Sequence, residues 1–308
     1  MKTSVVISTY NGERYIIEEL ESLLHQSRLP DEVLLFDDQS TDNTVSLVKN
    51  FIEENALSNW SIQVNAVNKG WKRNFMEGIK EATGDIVFIA DQDDIWVEDK
   101  VSIMSDIIER TSSVNVLVSN YTAFYDNGKT YVGPGKNDDS LEPKKFGSDL
   151  FNTMYPGCTY CVRKEFFDLC FKYWEEDFPH DAFLWKNAVQ SNSAFSINKS
   201  LVRWRKHEDS AFATSSRETK NLKDKTKWID YALRSIEALK AYSADNNLTN
   251  NLELIKRTSE WCRRRLKFYK SKKFFDWFTL VRYIDCYSRK KQFIGELYLV
   301  YFSRHTKK

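Results

Sequence analysis

Long apolar runs and paired cysteines are both missing from this 308-residue chain. No apolar stretch approaches the roughly 18 to 20 residues of a membrane-spanning helix, and the N-terminal apolar run is too short for a secretory signal. The five cysteines are an odd number without recurring pairs. Cys158 and Cys161 form a C-x-x-C with no second pair or histidine run, so reduced core thiols are favoured over zinc. These absences predict a cytoplasmic protein.

Net charge is nearly absent as well, at +1, but the charges are distributed unevenly. Residues 217–308 carry 23 Lys and Arg against 10 Asp and Glu, whereas the rest of the chain carries 22 against 34. Aromatic residues make up 14% and charged residues 29%, as in a globular protein rather than a disordered one. The asymmetry predicts an acidic body joined to a basic region that meets an anionic partner.

Apolar β-type runs alternate with helical periods through the first hundred residues. Strands are predicted at 4–9, 32–36, 62–64 and 86–90, and helices at 13–26, 45–52 and 71–82. This alternation with short turns predicts an α/β fold with a doubly wound, mostly parallel sheet. Ligands of such sheets bind at the carboxyl ends of the strands.

The fourth run ends in three carboxylates within four positions, Asp91, Asp93 and Asp94. Like charges this close repel by about 1 kcal/mol per pair in water at ~4 Å, and a hard divalent cation such as Mg²⁺ or Mn²⁺ relieves the repulsion. An isolated Asp-x-Asp is usually a solvated turn, but its place at a strand end favours a site for a metal and a diphosphate. For Asp94, the alternative is the cap of a helix that starts near Val97.

The second half of the chain is less regular. The sequence predicts a strand at 114–124, a hairpin at Asn127-Gly128 and a polar loop at 137–145 that is a candidate lid. Beyond residue 220 the pattern is helical, and basic clusters alternate with aromatic residues. This pattern fits an anionic membrane surface; the alternatives are a helical cap packed on the body and a homodimer interface. Nucleic acid is disfavoured, because no RNA-binding signature is present.

Four motifs, in order and spacing, resemble the family 2 glycosyltransferases of the GT-A fold: Ile7–Asn11, Phe36–Asp42, Asn68–Gly70 and Ala90–Asp94. The resemblance covers roughly residues 3–210, and the Asp-Gln-Asp-Asp-Ile-Trp form is most similar to the bacterial rhamnosyltransferase-like branch. It implies a GT-A domain over 1–215, with a nucleotide-binding half at 1–99 and an acceptor half at 100–215. A basic, aromatic-rich helical region would follow at 216–308.

The resemblance also implies roles for single residues in binding the nucleotide sugar. Ser8 and Tyr10 would line the base pocket, and Asp38 would accept the hydrogen bond of the base N3–H. For Asp37 and Asp38 the alternative is a helix-capping turn. The full set implied for the donor is Ser8, Tyr10, Asn11, Asp38, Lys72, Arg73, Asp91 and Gln92. In this set Lys72 or Arg73 would reach the diphosphate, unless they are solvated helix charges, and Asp91 would hold the ribose or water near the metal.

Transfer of a sugar from a nucleoside diphosphate with inversion needs a base for the acceptor hydroxyl and a cation for the diphosphate. The resemblance assigns residues to both roles. Asp181, in the His180-Asp181 element, would be the catalytic base; by itself it would be read as a helix N-cap. Asp93 and His207 would ligate Mg²⁺ or Mn²⁺, although a histidine among basic residues is normally a solvated bystander. Gly157, Cys158 and Thr159 resemble the acceptor-side loop, where Gly157 would permit close approach to sugar.

Together these features predict an inverting, metal-dependent glycosyltransferase of bacterial surface polysaccharide synthesis. The candidate donor is dTDP-L-rhamnose, and the acceptor is a surface polysaccharide or a polyprenyl-linked glycan. The alternatives are a UDP-hexose donor and, in a different class, a non-catalytic nucleotide- or glycan-binding protein. A polyprenyl-linked acceptor would place the protein at the inner face of the cell membrane, bound peripherally through its C-terminal region.

Overall fold

The computed structural model describes residues 1–153, 155–207 and 221–302, and the chain forms two compact units. One unit consists of Met1–Lys144 and Thr153–His207, and the other of Lys145–Asn152 and Glu208–Lys308. The domain boundary expected at residue 215 lies outside the described residues. Lys145–Asn152, which the sequence analysis places in the acceptor half, clusters with the C-terminal unit.

The first unit is built on a ten-stranded sheet. Its strands are β1 (Thr3–Thr9), β2 (Glu32–Asp37), β3 (Trp60–Val64), β4 (Ile86–Asp91), β5 (Ile95–Trp96), β6 (Val116–Tyr125), β7 (Thr130–Val132), β8 (Leu141–Pro143), β9 (Tyr160–Arg163) and β10 (Ala194–Lys206). They follow the order β3-β2-β1-β4-β9-β6-β10-β5, with β7 paired to β6 and β8 paired to β10.

Parallel pairing dominates the half of the sheet that the sequence predicts to bind nucleotide. Strands β3, β2, β1 and β4 are all parallel, as are β6 and β10, whereas β9 runs antiparallel between β4 and β6. The central strands are apolar throughout; Ile86–Ala90 is fully buried, as expected for a parallel strand covered on both faces. The predicted mixed α/β fold with a mostly parallel sheet is confirmed.

Amphipathic helices connect these strands. They are α1 (Ile16–Leu24), α2 (Thr44–Glu54), α3 (Trp71–Glu81), α4 (Lys100–Arg110), α5 (Lys164–Phe171) and α6 (His180–Gln190). In α1 the buried positions Ile16, Leu20 and Leu23 recur at helical spacing and join the core. Where the sequence predicts the first three helices, the structure has them, with shifts of a few residues at their ends.

Two local expectations differ from the structure, and one is confirmed. The loop at 137–145 contains β8, because the backbone and side chain of Asn198 on β10 bond to Ser140, and Asn198 also bonds to Glu142. Asp94 does not cap a helix, since β5 follows it and α4 starts only at Lys100. The Asn-Gly hairpin forms between β6 and β7, with Gly128 at φ +81°.

The C-terminal unit is helical over its described residues. It contains α7 (Leu222–Asp245), α8 (Leu252–Ser271), α9 (Phe274–Thr279), a 3₁₀ segment (Leu280–Cys286) and α10 (Lys291–Tyr301). Its interior includes a guanidinium, that of Arg265, which bonds to the Glu296 carboxylate at 2.7 Å and lies over the Trp261 ring at 4.6 Å. None of the described helices combines the length and apolar character needed to cross a bilayer.

Candidate active site

Parallel register brings the ends of three strands to one edge of the sheet. Ser8 of β1 lies opposite Phe36 of β2 on one side and Asp91 of β4 on the other, and Thr9 pairs with Asp37. Side chains separated by some eighty residues in sequence therefore meet where an α/β sheet binds its ligands.

Asp38 occupies one corner of this edge and is only 2% exposed. Its Oδ1 accepts the Lys69 N–H and its Oδ2 the Gly70 N–H, both at 2.7 Å, and Asn65 Nδ2 donates to Oδ1 at 3.0 Å. The carboxylate thus holds the loop before α3. Carboxylate oxygens accept two hydrogen bonds each, so Oδ2 retains the capacity for a further donor such as a base N3–H.

Two other residues predicted for the base pocket differ in whether their side chains are already bonded within the protein. Ser8 Oγ accepts the Asn74 side-chain amide at 2.7 Å, which ties β1 to α3. Tyr10 has its ring 48% exposed, while its backbone N–H and carbonyl bond to the Gln92 side chain at 2.9 and 3.0 Å. Gln92 is therefore a brace between the ends of β1 and β4, and the Tyr10 ring is left accessible for stacking.

The remaining donor candidates contact other parts of the protein. Asn11 Oδ1 accepts the Thr41 N–H at 2.8 Å, which links two strand-end loops. Lys72 Nζ donates to the Asp177 carbonyl at 2.9 Å, and Arg73 bonds to Glu77 at 2.6 Å. Neither cation is hydrogen-bonded to the carboxylates at the end of β4 among the described residues.

Those carboxylates form the second corner, where charge accumulates. Burial and the neighbouring charges of Asp93 and Asp181 raise the pKa of Asp91 to about 7. Asp94 is fully buried, and burial together with the charges of Asp93 and Asp91 holds its pKa well above the usual value. Asp94 Oδ2 has no nitrogen or oxygen partner among the described residues. A cation bound at this corner would relieve the repulsion between the carboxylates.

The donor atoms of this corner determine which cation fits. Oxygens of Asp91 and Asp94 lie within 4.8 Å of the Cys158 sulfur. Burial raises the pKa of the Cys158 thiol well above its usual value, so this sulfur stays protonated and is a poor ligand for a hard ion. The carboxylate oxygens, by contrast, are the ligands that Mg²⁺ and Mn²⁺ prefer, so the acidic corner fits the cation that the fold family implies.

The predicted metal pair meets at the rim of this corner. His207 Nε2 lies 2.5 Å from Asp93 Oδ2, although 114 residues separate the two in sequence. The His207 ring contacts that of Tyr15 at 5.4 Å between centroids. His207 and Asp93 are therefore close enough to bind the same metal ion.

Sequence reasoning gave no role to Arg205, which connects the parts of the acidic corner. Its backbone N–H donates to Asp94 Oδ1 and its Nε to the Asp93 carbonyl, both at 2.8 Å. Its guanidinium bonds to Glu18 at 2.6 Å and lies over the Tyr15 ring at 4.4 Å. The available signal was the alternation of basic residues along β10, which places Arg203 and Arg205 on one face.

Beneath the carboxylates lies a buried layer that was also missed. Burial and the charge of Asp94 hold the pKa of the Glu19 carboxyl well above its usual value. Lys100 Nζ donates to the Cys158 carbonyl at 2.7 Å, and burial lowers the Lys100 pKa to about 8. The only sequence signal was a glutamate on the apolar face of α1, next to Leu20 and Leu23.

Asp181 faces the acidic corner from α6. Its Oδ1 accepts the N–H of Ala182 at 2.7 Å, so it stands in the first turn of the helix. Its charge acts on Asp91, on the Tyr160 hydroxyl and on the buried Lys186. The carboxylate predicted as the base is thus near the acidic strand end.

The acceptor-side loop is packed tightly behind Asp181. A Cβ on Gly157 would lie 2.4 Å from His180 Nε2, so glycine is required here by a protein contact. The side chains of Cys158 and Thr159 are fully buried, and Thr159 Oγ1 donates to the Pro156 carbonyl at 2.7 Å. This loop therefore shapes the site through its backbone and its packing on α6.

Comparison with known proteins places this geometry in a family. The model of "Glycosyl transferase family 2" matches residues 4–169, which include β1, β2, β4 and the acidic strand end. The chain belongs to glycosyltransferase family 2. The glycosyltransferase activity expected from the four motifs is confirmed at the level of the family.

Two curated relatives and one solved structure show how far the similarity extends. The chain is 31% identical to the dTDP-rhamnosyl transferase RfbG of Shigella flexneri over 66% of its own length and 72% of the relative. It is 25% identical to the UDP-Glc:alpha-D-GlcNAc-diphosphoundecaprenol beta-1,3-glucosyltransferase WfgD of Escherichia coli, over 71% and 82%. The crystal structure of S. aureus TarS 1–349 with UDP-GlcNAc superposes with a TM-score of 0.62 at 21% identity, over 96% of this chain and 82% of the TarS 1–349 chain, which confirms the GT-A fold.

Proposed function

We propose that this glycosyltransferase moves a sugar from a nucleoside diphosphate to a bacterial glycan, with inversion at the anomeric carbon and with Mg²⁺ or Mn²⁺ bound at the acidic corner. The observation that carries the proposal is the meeting of Asp91, Asp93 and His207 at the sheet edge within reach of the charge of Asp181. Inverting transfer requires a base near a site that holds the departing diphosphate, and a nearby cation site and carboxylate support that reading.

In this proposal Asp181 is the catalytic base. Its carboxylate takes the proton of the acceptor hydroxyl while that oxygen forms a bond to the anomeric carbon. The bond between the anomeric carbon and the diphosphate breaks, and its electron pair leaves with the diphosphate. Asp93 and His207 would hold the divalent cation, Asp91 would hold the ribose or water near it, and the cation would stabilise the charge that develops on the leaving diphosphate.

The opposite corner of the edge would receive the nucleotide base. The accessible ring of Tyr10 offers a stacking surface, and Asp38 holds the loop at Lys69-Gly70 in place. The remaining acceptor capacity of Asp38 suits the N3–H that thymine and uracil share. This chemistry selects a pyrimidine and does not separate the two.

For the donor we propose dTDP-L-rhamnose, because RfbG, whose name states that donor, is similar over two thirds of this chain. A UDP-hexose is the alternative, as WfgD is named for UDP-Glc. For the acceptor we propose a growing surface polysaccharide or a polyprenyl-diphosphate-linked glycan, since WfgD is named for a diphosphoundecaprenol-linked sugar.

The test is a panel of nucleotide sugars offered to the purified full chain with Mg²⁺, Mn²⁺ or a chelator, with release of the nucleoside diphosphate as the readout. We expect slow hydrolysis of dTDP-rhamnose that stops with the chelator and returns when cation is added. Release from a UDP-sugar alone would replace the proposed donor and retain the proposed chemistry. Turnover that persists undiminished in chelator would overturn the role given to Asp93 and His207.

A further inference from the structure

The end of the C-terminal unit exposes an unusual number of large apolar side chains. Phe275 of α9 is 74% exposed. The exposed members of this set are Phe274, Phe275, Phe278, Val281, Ile294, Tyr298, Tyr301 and Phe302. Large apolar side chains that cluster on a surface mark a site of interaction, whereas isolated ones need no explanation.

Most of these side chains belong to α9 and α10, two helices that pack against each other; Val281 lies in the 3₁₀ segment and Phe302 follows α10. The rings of Trp277 on α9 and Phe293 on α10 stack at 4.5 Å between centroids, and Trp277 Nε1 donates to the Phe293 carbonyl at 2.9 Å. The Tyr301 hydroxyl bonds to the Lys272 carbonyl, which joins the end of α10 to the start of α9. Trp277 and Phe293 thus hold the two helices together, whereas Tyr301 both joins them and is partly exposed.

Helical spacing explains why the exposed set divides in this way. On α9 the exposed Phe274, Phe275 and Phe278 share one face, Asp276 is buried on the other side, and the half-buried Trp277 packs on Phe293. On α10, Ile294 and Tyr298 lie one turn apart on the outer side, opposite the buried Glu296. Each helix therefore has an inner face that packs and an outer face that is apolar and exposed.

Exposed basic residues alternate in the sequence with these apolar residues. The exposed cations between residues 268 and 302 are Lys270, Lys272, Lys273, Arg282, Arg289, Lys290 and Lys291. They and the exposed apolar residues of α9, the 3₁₀ segment and α10 together form what we call the basic aromatic face.

The acids of this part of the chain do not neutralise the face. Asp276 bonds to Lys267 at 2.9 Å, Asp285 to Arg257 at 2.6 Å, and Glu296 to the buried Arg265 at 2.7 Å. All three carboxylates are therefore balanced by cations outside the basic aromatic face. The seven exposed cations give the face a positive charge that needs an anionic partner.

We propose that the basic aromatic face docks on an anionic lipid surface, with the phenylalanines and tyrosines in the headgroup layer and the lysines and arginines on lipid phosphates. Amphipathic helices with aromatic residues amid cations bind membranes in this manner. A second copy of the chain is a poorer occupant, because two faces of the same charge repel each other. The inference goes beyond the transfer reaction and does not rest on it.

The experiment is sedimentation of the full chain with sucrose-loaded vesicles of phosphatidylcholine, with or without phosphatidylglycerol. We expect binding to the vesicles that contain phosphatidylglycerol, little binding to phosphatidylcholine alone, and release by salt because exposed charges are screened. The variant Phe275→Ala/Phe278→Ala/Tyr298→Ala should bind at least about tenfold more weakly. Lys273→Ala/Lys290→Ala/Lys291→Ala should lose the preference for the anionic lipid.

The matched control is Leu29→Ala/Val67→Ala, which removes exposed apolar side chains from the first unit and should leave vesicle binding unchanged. Thermal unfolding and vesicle-free donor hydrolysis show that each variant is folded, and they keep a failure of this inference separate from a failure of the proposed reaction. A chain that stays in the supernatant, or that binds both vesicles equally, overturns the proposal. The proposal is also overturned if light scattering shows that the chain self-associates, and if the aromatic variant loses this self-association but still binds the vesicles.

Discussion

Two acidic corners lie at the same edge of the sheet, and their chemistry differs. At the first, the Asp38 carboxylate accepts three hydrogen bonds, two of them from backbone N–H groups at 2.7 Å, and Oδ2 can accept one more. At the second, Asp91, Asp93 and Asp94 repel one another, and Asp94 Oδ2 has no nitrogen or oxygen partner in the described chain. A carboxylate after a strand is thus fixed by hydrogen bonds where donors surround it, and is destabilised by repulsion where other acids surround it, as expected for the proposed cation site.

The largest difference between the two corners is expected in turnover, when Asp181 is replaced. The charge of Asp181 acts on Asp91 of the second corner. In the Asp181→Asn variant the side chain keeps its size and loses its basicity, so turnover should fall by about 10²- to 10⁴-fold. Donor binding and thermal stability should change little, because the carboxylate is partly exposed and its helix remains. Nucleoside diphosphate release and a nucleotide titration measure the two. A loss of turnover below about tenfold would remove Asp181 from the role of base.

The next effect is expected at Asp93. Its charge raises the pKa of Asp91, Asp94 and Glu19, so Asp93→Asn relieves repulsion while it weakens the proposed cation site. We expect cation-dependent turnover to fall by about 10²-fold, with the unfolding free energy unchanged or raised by about 1 kcal/mol. The checks are a Mn²⁺ titration of activity and chemical denaturation in the absence of cation. A marked loss of stability would mean that this corner, too, is fixed by hydrogen bonds.

Asp38→Asn, unlike Asp93→Asn, should lower the free energy of unfolding. The new amide nitrogen would face the N–H groups of Lys69 or Gly70, so the free energy of unfolding should fall by about 2–4 kcal/mol. The matched control is Asp138→Asn, where an exposed carboxylate accepts the Ser140 N–H at 3.1 Å and the cost should stay below about 1 kcal/mol. Denaturation of both variants measures the difference. Equal losses would show that burial of the carboxylate does not matter.

The smallest effect concerns acid stability next to the second corner. His180 is buried between Phe75 and Trp71, neither ring nitrogen has a partner among the described residues, and burial lowers its pKa although the charge of Asp181 opposes the shift. Below about pH 6.5 the imidazole of His180 binds a proton in the unfolded chain more readily than in the folded chain. The free energy of unfolding should therefore fall as the pH falls, by up to about 1.4 kcal/mol per pH unit from this group.

The variant His180→Gln should lose this part of the pH dependence, whereas His25→Gln, at an exposed histidine, should keep it. Denaturation midpoints from pH 7 down to about pH 5 measure the slope for each variant. Identical slopes in the wild type and in His180→Gln would show that His180 becomes protonated in the folded protein.

What could be predicted from the sequence follows a physical rule. The strand Ile86–Ala90 and its carboxylates were predictable because apolar period, strand length and charge are local properties. Arg205, Glu19 and Lys100 were not, since each is a charged residue whose burial depends on partners from other strands and helices. The mistaken cap at Asp94 has the same origin: its real donor, the Arg205 N–H, lies 111 residues away.

The sequence by itself determined the α/β alternation, the polar strand ends and the basic, aromatic character of the C-terminal region, because periodicity and composition need no partner. Tertiary structure alone decided which acids are satisfied and which are crowded, and which aromatic residues of α9 and α10 pack and which are exposed. The reason is that desolvation and hydrogen bonding depend on distance in space. Only the folded chain brings Asp93 to His207 and the loop at Lys69-Gly70 to Asp38.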